Sequence, residues 1–235
     1  MARASLVQSV SDRLLDDIIS GELPQGAPLP REIDLAERLG VNRLTLREAL
    51  KTLQAQGVVQ PVPGTRGRVL PMEDWTGIEP VRRAATSSGA KAQAAVQLVQ
   101  LRRMIDPGAG ELAAPLRTTE DLEKLEGYLE EMRAASAAND VHTFVTADIA
   151  FHDVVLRASG NPFLRVLLEP LGKFMYERRY ETSAVPQVQV NAIREHAGIL
   201  EALRSGDGSA ARAAMESHMQ QTADDLQEYV LTPRA

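Results

Sequence analysis

The sequence predicts a mainly α protein in two parts: an N-terminal winged helix-turn-helix, then an all-α antiparallel helical bundle. Three observations point there. Aromatics make up only 4% of the 235 residues while Ala and Leu are plentiful, which favours helices over a sandwich or barrel. The first 72 residues place three amphipathic helical segments ahead of two short β-like runs. From about Ala92 the apolar period is helical almost to the end, cut by short breakers such as "SGNP" and "SGDGS".

Residues 6–20, "LVQSVSDRLLDDIIS", put Leu6, Val10, Leu14 and Ile18 on one helical face, and Gly21 ends that helix. "GELPQGAPLP" is a connector rich in proline and glycine. A short helix over about 31–39 carries Leu35, Ala36 and Leu39 and breaks at Gly40. The next runs from about Asn42, a suitable N-cap, to Gln56, with Gly57 as its stop. "VVQPVPGTRGRVLP" reads as two strands around a Pro-Gly turn, so the order is that of a winged helix-turn-helix. "PMEDWTGIEP" marks a boundary, and "ATSSGAKAQAA" reads as a mobile connection. The expected division is a head over 1–72, a linker over 73–91 and a bundle over 92–235. Bundle helices are expected at about 92–115, 119–137, 140–159, 162–182, 188–204 and 208–230. Pro107 and Pro170 should kink two of them or move their boundaries.

Composition narrows the function. With no cysteine, disulfides, thiol catalysis and cysteine-based metal sites are excluded. No apolar run approaches the ~20 residues that span a bilayer, and the acidic, amphipathic N-terminus is unlike a signal peptide, so a cytoplasmic protein with no membrane partner is expected. The net charge of −6 argues against non-specific nucleic-acid binding by the whole surface. The charge is unevenly placed, however. Residues 1–72 hold nine Lys/Arg against eight Asp/Glu, and residues 73–235 hold seventeen against twenty-four. A near-neutral head on an acidic body suggests different partners for the two parts.

In "GVNRLTLREAL", Leu46, Ala49, Leu50 and Leu53 fall within an arc of roughly 100° that forms the buried face. Arg43, Arg47 and Lys51 make an i, i+4, i+8 row beside it, and Leu44 points away. One face held by the domain and a cationic row beside it suit a helix that enters a DNA major groove. Arginine forks pair with guanine edges or phosphates, Thr45 reaches either, and Leu44 offers an apolar contact for a thymine methyl or is simply surface.

These residues resemble a family. "GELPQGAPLPREIDLAERLGVNRLTLREALKTLQAQGVVQPVPGTRGRVL" is similar to the DNA-binding domain of GntR-type bacterial regulators, continuously from Gly21 to Leu70. The resemblance implies that Arg43 and Arg47 contact double-stranded operator DNA, assisted by Thr45 and by the wing tip of Gly64, Thr65 and Arg66. Ile33 stands where many members carry Arg, and Arg31, two residues earlier, is the candidate substitute.

The bundle holds four histidines, His142, His152, His196 and His218. Asp148 and His152 are i, i+4 and share a helix face. His196 and His218 each have apolar helical neighbours that should face the core. One Asp and three His aimed inward would give a site suited to Zn²⁺, Ni²⁺ or Mn²⁺. The D-x-x-x-H spacing alone is equally met by unrelated, capped or solvated histidines. "VQLRRMIDPGAGELAA", "ADIAFHDVVLRASGNPFL", "REHAGILEAL" and "GDGSAARAAMESHM" resemble successive motifs of the FCD effector domain of the FadR branch. That resemblance implies a divalent metal on Asp148, His152, His196 and His218, with His142 outside the set. It also implies a small carboxylic acid clamped by Arg102, with Asp106 one turn on. Arg103 points about 100° away. Asn161 lines the pocket or serves as a turn residue, and Arg178 and Tyr180 could reach a polar ligand or lie on the surface. Trp75 after the wing is similar to sugar-acid, galactonate-type repressors and favours a sugar acid, with lactate-type acids left open. The implied protein is a homodimeric, ligand-responsive regulator of the repressor kind. The alternatives are a hydrolase-type metalloenzyme, for which Glu195 is a poor general base, and a pure metal sensor.

Overall fold

The computed structural model describes residues 5–62, 66–87 and 91–231. The chain divides into two compact units between Lys91 and Ala92.

The first unit contains α1 (Leu6–Ile19), α2 (Glu32–Leu39), α3 (Arg43–Ala55), a β1 (Val59–Gln60) and β2 (Arg68–Val69) hairpin, and α4 (Ile78–Ala85). The strands are antiparallel, pairing Val59 with Val69 and Gln60 with Arg68. Pro28 bridges to Arg68, which ties the connector after α1 to the hairpin. Polar caps set the helix starts: Ser5 accepts from the Gln8 amide, and Asn42 accepts from the Thr45 amide at 2.8 Å. Gly40, at φ 66°, ends α2 in the left-handed conformation that makes the tight turn into α3. Val10, Leu14 and Ile18 of α1 meet Leu35, Leu46, Ala49 and Leu53 in one core closed by Val58, Val59 and Val69. Leu6, expected on that face, is 60% exposed, because the core begins a turn further along at Val10.

The segment expected to be a linker carries structure. A 3₁₀ turn (Met72–Asp74) precedes Trp75, which is buried in the head core and donates its indole N–H to Leu70 O at 3.0 Å. Thr76 and Gly77 amides donate to Gln56 O at the end of α3. Gly57 allows this approach. It sits at φ 71°, and a Cβ there would lie 2.8 Å from Thr76 Oγ1. Arg83 of α4 reaches Asp12 and Asp16 of α1 at 3.1 and 2.7 Å.

The second unit is a bundle of α5 (Lys91–Leu116), α6 (Thr119–Ala137), α7 (Val141–Ala158), α8 (Pro162–Leu168), α9 (Gly172–Ser183), α10 (Pro186–Ser205) and α11 (Gly208–Leu226). Together the described elements make the protein mainly helical, as expected. Pro170 acts as its chemistry predicts: the expected helix over 162–182 breaks into α8 and α9 around a 3₁₀ turn, Glu169–Leu171. Pro107 does not end its helix; α5 runs through both Pro107 and Pro115. Alanines line the inner face of α5, and a Cβ on Gly110 would lie 3.3 Å from Ala211 O, so α5 and α11 approach closely. Thr118 and Asp121 form a capping box at α6. Arg117 donates to Leu203 O and Arg204 O, satisfying carbonyls at the end of α10. Leu125, Phe151, Ile199, Leu203 and Met215 build the main bundle core.

Trp75→Ala should destabilise the head by about 3–5 kcal/mol, the usual cost of truncating a buried aromatic. Urea unfolding followed by circular dichroism checks this: the head transition should move to lower urea while the bundle transition stays in place.

Candidate functional sites

The head gathers four arginines on one concave face. A groove of about 530 Å³ is lined by Arg31, Arg43, Arg47 and Arg66, with Glu32 among them. Arg47 Nε donates to Glu32 Oε2 at 2.7 Å, and Arg43 Nη2 lies 3.8 Å from the same oxygen. One carboxylate thus gathers two arginines whose side chains stay 55% and 60% exposed. Arg31, at the N-cap of α2, makes a two-pronged pair with Asp34 at 2.8 and 2.9 Å and faces the same groove. Leu44 is 71% exposed, the largest apolar exposure on α3. Thr45 is half-buried, and its hydroxyl donates to Asn42 Oδ1 at 3.1 Å, which makes it part of the cap. Gly64 and Thr65 lie outside the described residues.

The bundle brings His152 from α7, His196 from α10 and His218 from α11 together. One ring nitrogen from each lies within 4.8 Å of the others. Ring centroids are 4.6 to 5.1 Å apart, and all three residues are buried. Asp148, one turn before His152, places Oδ1 3.2 Å from His196 Nε2. His142 is exposed and stands apart, against Tyr176.

Hydrogen bonding sets the state of these rings. His196 Nδ1 lies 2.7 Å from Ala192 O, so it donates there and turns Nε2 toward the Asp148 carboxylate. A proton or a metal cation between Nε2 and the carboxylate satisfies both atoms. Among the described residues, His196 Nε2, both nitrogens of His218 and Asp148 Oδ2 have no hydrogen-bond partner. Orphaned buried donors and acceptors are rare in folded proteins, and imidazoles with one carboxylate are a donor set for a borderline divalent ion. The residues therefore fit such a metal. Burial pushes the His152 and His218 imidazoles well below the usual histidine range, helped by Arg102, Arg179 and the neighbouring rings. Burial alone would raise the Asp148 carboxyl, but Arg179, His196 and Arg102 hold it below its ordinary value.

Arg102 faces inward and Arg103 faces solvent. Arg102 Nη2 sits 2.6 Å from Asp106 Oδ2 without a well-aligned hydrogen bond, and its Nε has no partner. It lines a cavity of about 40 Å³ with Arg178, Arg179, Thr182 and Thr222. A second of equal size has His218, Arg179, Gln221 and Asp225 in its walls. Asn161 is a helix cap: its side chain accepts from the Phe163 amide at 3.1 Å, a turn role with no contact to the histidines. Arg178 pairs with Glu181 and lies 5.5 Å over Phe174, while Tyr180 is largely exposed.

Arg179 is the residue that sequence reasoning missed. Its side chain is only 13% exposed, and it contacts both Asp148 and His152. Burial lowers its pKa to about 10 against the pull of Asp148. The signal was present in the i, i+4, i+8 row Met175, Arg179 and Ser183, whose outer members are buried.

A winged helix-turn-helix joined to a helical bundle with a polar interior defines a two-part DNA-binding transcription regulator. The family models described as "Bacterial regulatory proteins, gntR family" and "FCD domain" match residues 6–69 and 97–221. The chain belongs to the GntR family of bacterial transcription regulators and carries an FCD domain. It is 32% identical to the HTH-type transcriptional regulator LutR of Bacillus subtilis, over 90% of this chain and 97% of that one. It is 28% identical to the galactonate operon transcriptional repressor of Escherichia coli, over 84% and 86%. Streptococcus agalactiae GntR superposes with a TM-score of 0.53 at 26% identity, over 93% and 99% of the two chains. Lar of Listeria monocytogenes shares the fold, with a TM-score of 0.61 at 22% identity over 97% and 99%. The family regulates transcription and is not enzymatic, which sets the metalloenzyme alternative aside. No helix among the described residues is long and apolar enough to cross a membrane.

The buried neutral histidines predict acid sensitivity. The folded pKa values of His152 and His218 lie below the unfolded value near 6.5, so below that pH the unfolded chain binds more protons. Stability is then flat above about pH 6.5 and falls as the pH drops, by roughly 1.4 kcal/mol per unit for each histidine. Urea unfolding of chelator-treated protein between pH 7.5 and 5 should show this slope in the bundle transition, and His218→Gln should reduce it.

Proposed function

We propose that the protein is a ligand-responsive repressor whose bundle, over 92–235, binds a divalent metal and a small carboxylic acid. Asp148, His152, His196 and His218 hold the metal, with Zn²⁺, Ni²⁺ or Mn²⁺ as the fitting ions. Bound there, a metal supplies a fixed positive charge for an oxyanion. The observation that carries this reading is the meeting of three buried imidazoles beside a carboxylate, with nitrogens of His196 and His218 unpartnered among the described residues. Arg102 contributes the planar fork that matches a carboxylate, and its free Nε supports that role. A sugar acid is the favoured effector. The likeness to the galactonate operon repressor supports it. Asn161, the cap of α8, drops to an indirect part in shaping this region.

The head, over 1–72, reads a major groove with Arg43, Arg47, Thr45 and Leu44, while Arg31 and Arg66 reach adjoining phosphates. Phosphate and guanine edges compete with Glu32 for Arg43 and Arg47. The protein acts as a homodimer on a near-palindromic operator, since paired heads match paired half-sites. Effector binding selects a bundle arrangement whose heads no longer fit the half-site spacing, and operator affinity falls.

A thermal-shift screen of sugar acids and small hydroxy acids, with and without added Zn²⁺, tests the site. The expected result is a raised Tm for a sugar acid only when metal is present, lost in His196→Ala. An acid that stabilises equally after chelation would overturn the metal role. In gel shifts, Arg47→Ala should weaken operator binding about tenfold or more, in line with ~1–3 kcal/mol for a bidentate base contact, with unchanged circular dichroism.

A further inference from the structure

The contacts of Arg179 go beyond a structural pairing. Its Nη1 donates to Asp148 Oδ1 at 2.5 Å, and its Nη2 lies 3.1 Å from His152 Nε2. A guanidinium has donors and no acceptor, so His152 Nε2 turns its lone pair to Arg179. These two atoms belong to two of the four proposed metal ligands. One imidazole lone pair cannot serve an N–H and a metal cation together. Asp148 Oδ2 is unpartnered among the described residues, but a guanidinium and a divalent cation on the same buried carboxylate repel strongly.

We propose that Arg179 is a displaceable internal counter-ion: it neutralises Asp148 and holds His152, and it must leave both before a divalent metal can bind. The inference rests on reading the histidine centre as a metal site. It explains how a carboxylate buried among three imidazoles is tolerated in the fold, because the guanidinium supplies the compensating charge. It also ties metal to acid. Arg179, Thr182 and Thr222 form the wall common to the cavity of Arg102 and the cavity of His218. Displacement of Arg179 from Asp148 frees a second fork at the wall of the Arg102 cavity and removes part of the partition between the two spaces. Metal uptake thereby creates room and a donor for a carboxylate, and the two ligands bind with positive coupling through one side chain. Arg178, its neighbour, is engaged by Glu181 and stacks over Phe174, so it carries similar charge without touching the ligand atoms.

The test is Zn²⁺ affinity, read by competition with a chromogenic chelator on the full, metal-stripped chain. Arg179→Met keeps most of the side-chain bulk and removes the cation. Arg179→Lys keeps the charge but cannot bridge both atoms. Arg178→Met removes a nearby charge that does not compete. Arg179→Met is expected to bind Zn²⁺ about tenfold tighter than the parent or more, a gain of ~1.4 kcal/mol or above. Arg179→Lys should also bind more tightly, and Arg178→Met should stay close to the parent. Unchanged or weaker binding in the Arg179 variants would overturn the proposal, and so would an equal gain in Arg178→Met. Zn²⁺ binding by none of the proteins, parent included, would instead remove the metal reading on which the proposal stands. Should Arg179→Met fail to give a folded far-UV spectrum, Arg179→Lys decides by itself.

Discussion

The bundle is organised around a burial problem. Asp148, His152, His196, His218, Arg102 and Asp106 all lie inside, on α5, α7, α10 and α11, and hydrocarbon neighbours cannot solvate them. Each is tolerated through the others. Arg179 answers Asp148, Arg102 answers Asp106, and Ala192 O orients His196. Phe151 sets its ring edge-on to His196 at 4.6 Å, closing the apolar side of the cluster. The helices are therefore held by mutual electrostatic need as well as by Leu125, Ile199, Leu203 and Met215. Such a cluster is a weak source of stability and a strong constraint on arrangement, because removing any member leaves a charge or lone pair uncompensated.

The head works in the opposite electrostatic regime. Its arginines are exposed, screened and paired one carboxylate to two, so none carries much folding energy. Their value lies in direction. Glu32, at the start of α2, holds Arg43 and Arg47 of α3 toward a common groove while Leu46, Ala49 and Leu53 hold the other face in the core. The uneven sequence charge has the same logic: an acidic bundle discourages DNA contact elsewhere and leaves the near-neutral head as the reading surface.

Where one helix carried both its apolar stripe and its function, the residues showed it. Asp148 and His152 share a face by spacing alone, while Arg102 was singled out by the family resemblance, the 100° step showing only that Arg103 points elsewhere. Caps at Asn42 and the stop at Gly57 were equally legible, because their chemistry is local. Properties set by distant partners were not. Trp75 reads as boundary punctuation, yet Leu70 O and the head core claim it. Asn161 has a residue type that suits both a pocket and a cap, and only the backbone around Phe163 decides. Arg179 sits in "YERRYE", where charges on every side suggest a solvated face. Its inward row emerges only once Met175 and Ser183 are known to be buried. Pro107 shows the limit of a strong local rule, since α5 continues through it while Pro170 divides α8 from α9.

The position of α5 in the chain gives these separate facts a common consequence. This helix bears Arg102 and Asp106, is the first of the bundle, and follows directly on the connection from the head. Arg102 and Asp106 therefore sit on one continuous helix that begins at Lys91. Pro107 lies one residue beyond Asp106 and lacks the amide that would bond the Arg103 carbonyl, so α5 loses a backbone hydrogen bond next to its buried charges. The close contact of Gly110 with Ala211 anchors the helix on the far side of that point. Within the bundle, α5 thus combines a buried ion pair, a missing backbone hydrogen bond beside it and a close helix contact within about two turns.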